Sequence, residues 1–237
     1  MAPGMTGRAI GIGKGFFREG ILGGAVGTEL IYSFVIIVCS LMVYFATKEM
    51  YELSTHKGIK YFRLTFLFFA IAYFFRGVIK FVWVYFGRGV LDISPMTFGQ
   101  LTYIAFMYFS SIAVFYLLYS VMWKKFDKRK LVFWLMHTVA LLIGVVSVVL
   151  KSKIMILNIN IFLLLVVLLV VLLAYKDSSG NRKHGFYVVY LLLSVFWILN
   201  VIDVVVRNFM QIYQMLIYLV SVGLFLGILY KVLRRTG

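Results

Sequence analysis

Seven predominantly apolar runs, at residues 22–46, 64–86, 101–123, 131–150, 154–175, 186–206 and 212–229, decide what this chain can fold into. An α-helix needs about 20 predominantly apolar residues to cross the roughly 30 Å hydrocarbon core of a bilayer, and each run meets that length with some allowance for tilt. Lipid offers the backbone no hydrogen-bond partner, so only helices and closed barrels span it, and no run shows the period-two alternation of a barrel strand. The pattern predicts an all-α membrane protein: a seven-transmembrane-helix bundle over residues 22–237, preceded by a glycine-rich segment 1–21. Nine glycines lie between Gly4 and Gly27, and Lys14, Arg18 and Glu19 interrupt the stretch. It reads as a tail or as a short interfacial helix presenting Ile12, Phe16 and Phe17 to lipid, with no cleavage site of a secretory signal.

Seven spans and their turns use nearly all of the 237 residues, 63% of which are apolar and only 14% charged. No room remains for a soluble catalytic or nucleic-acid-reading domain. The net charge of +16 sits in short connections rather than on a folded polar surface, so it speaks for topology and lipid contact and against nucleic acid. The one cysteine, Cys39, falls inside the first run, which excludes an intramolecular disulfide and suits a small buried apolar side chain.

Excluding Arg76 and Lys80 inside the second run, fifteen Lys and Arg residues fall in the first, third and fifth connections and the C-terminal tail, against seven on the opposite side. Basic loops are retained in the cytoplasm, so the N-terminus is expected outside and the C-terminus inside a membrane, most simply a prokaryotic cell membrane. The basic cluster Lys124, Lys125, Lys128, Arg129 and Lys130 is then expected to meet anionic lipid or a separate partner on the cytoplasmic side. Every connection is short, the longest being 47–63, which predicts antiparallel packing of consecutive helices. No internal repeat marks the inverted halves of many transporters.

Charges within apolar runs are costly and are functional hypotheses by default. Counting from the inner edge at a rise of about 1.5 Å per residue places Arg76 at ~18 Å, Lys80 at ~24 Å, and Glu29 and Asp203 at ~26 Å. Asn158, Asn160, Asn200, Gln214, Thr102 and Tyr103 share this outer layer. Two acids balance two bases, and Arg76 and Lys80, four residues apart, lie on one helix face, so Asp203 is expected to pair with Lys80 or Arg76. Such a layer is either a site for a small ligand or ion or interhelical glue. The inner half is apolar by comparison. His137 there has no second His, Cys or carboxylate at metal-ligand spacing and reads as a core histidine, while the aromatic run on the third helix, from Tyr103 to Tyr119, reads as packing.

No nucleophile pair, metal cluster or cofactor lysine appears where intramembrane catalysis would need one, so an enzyme, a metal and a cofactor are not expected. The stretch Tyr51-Glu-Leu-Ser-Thr-His-Lys-Gly-Ile-Lys-Tyr-Phe-Arg63, leading into 64–76, resembles the multi-helix membrane sensor modules that precede prokaryotic histidine kinases. The resemblance implies a sensory role. With no kinase in these 237 residues, it also implies a signal handed to a separate partner. The leading expectation is a receptor-like bundle binding a small ligand or ion in an outward-facing polar pocket. The alternatives are a channel or transporter subunit and a structural subunit of a membrane complex.

Overall fold

The computed structural model describes residues 12–78, 95–126, 130–150, 152–178, 184–206 and 211–236, and these contain no strand. Among the described residues the α-helices are α1 (Ile12–Ser54), α2 (Lys57–Tyr73), α3 (Pro95–Phe126), α4 (Lys130–Val149), α5 (Lys153–Ser178), α6 (His184–Val206) and α7 (Gln211–Thr236). A π-helical turn, Phe74–Val78, continues α2. All seven are long and apolar enough to cross a membrane.

Hydropathy located the spans but not the helix ends. The expected first connection, 47–63, is almost entirely helical, and the chain reverses at Thr55-His56 alone. Thr55 takes a left-handed φ of 49°, and its N–H reaches Tyr51 O at 2.7 Å, closing the last turn of α1. Once nucleated by an apolar span, a helix extends through polar residues at little cost, so the loss of hydrophobicity does not stop it. At its other end α1 starts at Ile12, so the helix runs from the glycine-rich segment straight into the span.

Helix α1 packs on α2, α2 on α3, α3 on α4, α5 on α6 and α6 on α7, and α1 closes the ring against α7. One expected neighbour pair is nearly absent. Helix α5 packs against α3 as well as α6 and scarcely meets α4, which stands outside the ring with most of its surface facing away from the bundle. Lipid removes the hydrophobic drive between helices, so close packing must hold them, and small residues permit it. A Cβ on Gly77 would collide with the Ser33 side chain of α1, and one on Gly144 of α4 would lie 3.0 Å from Ile104 O of α3.

The inward stripe of α1 runs Tyr32, Ile36, Cys39, Val43 and Thr47, all buried, while Ile31, Phe34, Met42 and Phe45 face outward. On α2 the stripe is Phe62, Phe66, Phe69 and Tyr73, and Arg76 extends it by three residues. Phe69 and Phe196 meet edge-to-face at 6.3 Å, and Phe196 meets Phe225 at 4.7 Å. With Phe62 and Phe66 these fully buried rings fill the middle of the bundle. They lie between the half nearer the α1–α2 turn and the opposite half, where Glu29, Arg76 and Asp203 lie.

Candidate functional site

Arg76 is the centre of that opposite half. Arg76, with only 7% of its side chain exposed, sits in the middle of the π-helical turn, and its guanidinium reaches carboxylates on two other helices. Nη2 donates to Asp203 Oδ2 of α6 at 3.0 Å, and Nε donates to Glu29 Oε1 of α1 at 3.3 Å. The helix-rise count left a gap of roughly 8 Å in depth between Arg76 and either acid, and the long side chain closes it. A planar fork with donors on separate edges can hold two carboxylates at once, which a lysine ammonium does less well. Of the two bases expected to pair with Asp203, Arg76 is therefore the one seen to do so; Lys80 lies outside the described residues.

Around the guanidinium stand four aromatic rings: Tyr32, Tyr73 and Phe106 with centroids at 5.6 Å and Tyr218 at 5.9 Å. Tyr32 stacks on Tyr218 at 4.3 Å, tying α1 to α7 beside the charge. The negative faces of such rings favour a desolvated cation, so they supplement the carboxylates. Hydrogen bonds extend the cluster in two directions. Nη2 of Arg76 also approaches Tyr218 Oη at 3.5 Å, and Gln214 Nε2 donates to the same oxygen at 2.8 Å. On the other side Tyr73 Oη donates to Asn200 Oδ1 at 3.3 Å, which leaves the Tyr32 hydroxyl to donate to Tyr73 Oη at 3.1 Å.

The expected layer thus resolves into members and bystanders. Glu29, Arg76, Asn200, Asp203 and Gln214 belong to one network. Asn160 is buried against α6, where the indole N–H of Trp197 donates to its backbone oxygen at 3.2 Å. Asn158 is not part of it: two residues away on the same helix, it points to the opposite side and is exposed on the bundle surface. The Thr102 hydroxyl donates to Phe98 O and Gly99 O of its own helix, so it caps backbone rather than joining the site.

Sequence reasoning missed Tyr32, Tyr73, Tyr218 and Phe106. A usable signal existed, because each lies three or four residues from a polar residue already singled out: Glu29, Arg76, Gln214 and Thr102. That spacing puts them on the same helix faces.

A cavity of about 20 Å³ lies beyond the Tyr73–Asn200 pair, between α2, α3, α5 and α6. In the other half, the His137 ring of α4 is bonded at both nitrogens, to Tyr108 Oη at 2.9 Å and Tyr116 Oη at 3.4 Å. These bonds attach the peripheral α4 to α3. No group of three or more His, Cys, Asp and Glu side chains suited to a metal occurs among the described residues. Of the basic cluster, Lys124 and Lys125 are exposed at the end of α3, Lys130 opens α4, and Lys128 and Arg129 lie outside the described residues.

No protein-family model matches the chain, and no solved structure matches it. It is similar to a protein of Archaeoglobus fulgidus named only as uncharacterized, with 29% identity over 227 residues, covering 89% of this chain and 93% of that relative.

Proposed function

We propose that the protein is a receptor-like sensory bundle of a prokaryotic cell membrane whose outward half binds a small ligand or ion at the Arg76 centre. One observation carries this reading: charges from three helices converge on one buried guanidinium, Arg76 bonding both Glu29 and Asp203. A ligand that competes for Arg76, Glu29 or Asp203 changes the contacts among α1, α2 and α6 together, which is the differential interaction that a sensing step requires. The fifteen-to-seven excess of Lys and Arg supports an outside N-terminus and, with it, an outer-half position for the Arg76 centre. The archaeal relative supports a prokaryotic membrane. The basic helix ends, Lys124 and Lys125 among them, then face anionic lipid or a separate signalling partner.

The test is a thermal-unfolding screen of the purified protein in lipid nanodiscs against sodium, potassium, acetate, glycine and guanidinium salts at matched ionic strength. At least one probe is expected to raise the Tm of the native chain and to leave the Arg76→Met/Asp203→Asn/Glu29→Gln variant unmoved. Equal shifts in both proteins, or none in either, would return the centre to a purely structural role. Flux of any of these ions in proteoliposomes would replace the sensor by a channel or transporter.

A further inference from the structure

The cavity beside the Arg76 centre has walls of two kinds. Phe69, Phe106, Met107, Leu163 and Trp197 make it apolar, while Tyr73, Ser110, Asn160 and Asn200 contribute hydroxyl and amide groups. Its volume of about 20 Å³ exceeds the roughly 10–15 Å³ that one water needs and falls short of two. Cavities this small stay empty when their walls are wholly apolar, and this one is not.

The hydrogen-bond inventory also leaves a place for a guest. Asn160 spends an amide N–H on Ile156 O at 2.8 Å, and Asn200 spends one on Phe196 O at 3.1 Å, so both turn acceptor oxygens to other uses. The Asn200 oxygen takes the Tyr73 hydroxyl but has two lone pairs. The Ser110 hydroxyl, only 4% exposed, supplies a donor. One water matches this set: it gives its two protons to the asparagine oxygens and accepts from Ser110, three bonds in all. A metal cation is a poorer match, because no carboxylate lines the cavity and two of its walls, Tyr73 and Phe106, are rings that also face the Arg76 charge.

We propose that this cavity is a binding site for a single buried water, which links Ser110 of α3 and Asn160 of α5 to Asn200 and, through Tyr73 and Tyr32, to the Arg76 centre. It makes α3 and α5 part of one polar network with α1, α2 and α6, whatever the protein senses.

The deciding measurement is the sign of a cavity-filling substitution, read beside an experimental map of the full chain in nanodiscs. Ser110→Val occupies the space with methyl groups. Filling a dry hole raises stability, whereas evicting a three-bonded water leaves the Asn160 oxygen unpaired and the Asn200 oxygen with the Tyr73 hydroxyl alone, so Tm is expected to fall by about 4 °C or more. Ser110→Ala, which removes one bond and keeps the space, is expected to cost less than Val does. The map should show one isolated peak within hydrogen-bond distance of Ser110, Asn160 and Asn200, absent in the Val variant. A rise in Tm for Ser110→Val, an empty cavity in the native map, or density for a lipid chain or larger molecule would each overturn the proposal. If the Val variant does not fold, the native map and the Ala variant decide alone, and an Ala variant at least as stable as the native chain counts against it.

Discussion

Asp203→Asn removes one of the two negative charges that hold Arg76 while keeping the shape of the side chain and one acceptor oxygen. Both partners are almost wholly buried, the side chains of Arg76 and Asp203 being 7% and 5% exposed, so screening by water is slight. Breaking a buried ion pair costs about 3–5 kcal/mol, most of it from the charge left behind. Glu29 remains 3.3 Å from the guanidinium, so the cost of Asp203→Asn belongs at the lower end, about 3 kcal/mol. For a chain of this size each kcal/mol moves Tm by roughly 2–4 °C, which gives a loss of about 6–12 °C. Arg76→Met strands two carboxylates at once and is expected to cost more, about 5 kcal/mol. Glu29→Gln costs least, because the Glu29 side chain is 20% exposed and its charge is partly relieved by solvent. Removing all three charges together is expected to restore stability to within about 1 kcal/mol of the native chain, as apolar or neutral replacement of buried ion clusters does. The assay is reversible unfolding in mixed micelles, read through a double-mutant cycle on Arg76 and Asp203. A coupling of at least 1 kcal/mol is expected; losses that add to within about 0.5 kcal/mol would refute the reasoning, since additivity marks residues that do not interact.

Gly77→Ala places a methyl group against the Ser33 side chain and should push α1 from α2, lowering stability by about 1–3 kcal/mol; Ser33→Gly in the same chain should recover most of it, and failure to recover would mean that the contact is not what limits the approach. A cysteine at exposed Ser54 beside the α1–α2 turn, in a Cys39→Ala background, is expected to react with a membrane-impermeant maleimide only after permeabilisation, and labelling of intact cells would invert the topology. Replacing Lys124, Lys125, Lys128, Arg129 and Lys130 by Gln should reduce co-purified anionic lipid, each charge being worth about 1 kcal/mol near such a surface; unchanged lipid retention would make the cluster an ordinary solvated turn.

Which parts of this architecture the sequence discloses follows from what each signal measures. Hydropathy reports the medium, and it disclosed seven spans because lipid penalises every departure from apolar composition. It says nothing of where a helix stops once it leaves the membrane, which is why 47–63 read as a loop although α1 and α2 occupy nearly all of it. Depth along a helix follows from the rise per residue, and depth alone gathered Glu29, Arg76, Asn200, Asp203 and Gln214 into one layer. Rotation about the helix axis is a separate coordinate. Asn158 and Asn160 share a depth, but their 200° separation sends one outward and the other into the core, and only the burial stripe of α5 tells them apart. That stripe is invisible in a helix as uniformly apolar as 163–173. Neighbour choice is a third coordinate. Short connections made α3–α4 and α5–α6 pairs foreseeable, but the packing of α5 on α3, with α4 displaced to the rim, depends on side-chain fit across non-consecutive helices.

The π-helical turn marks where regular geometry stops describing the centre. A turn of this kind holds an extra residue and departs from the 3.6-residue period on which every same-face argument rests. It falls at Phe74–Val78, so Arg76 and the Gly77 contact with α1 both lie where the period is broken. Helices without such a turn keep the period: Tyr32 follows Glu29 by three on α1, and Tyr218 follows Gln214 by four on α7. A buried charge in an apolar span, a glycine beside it and tyrosines at three- and four-residue spacing from each candidate therefore form a combined signal. Each element alone is commonplace in membrane helices, but their coincidence on α1, α2 and α7 marks the side on which the helices face one another.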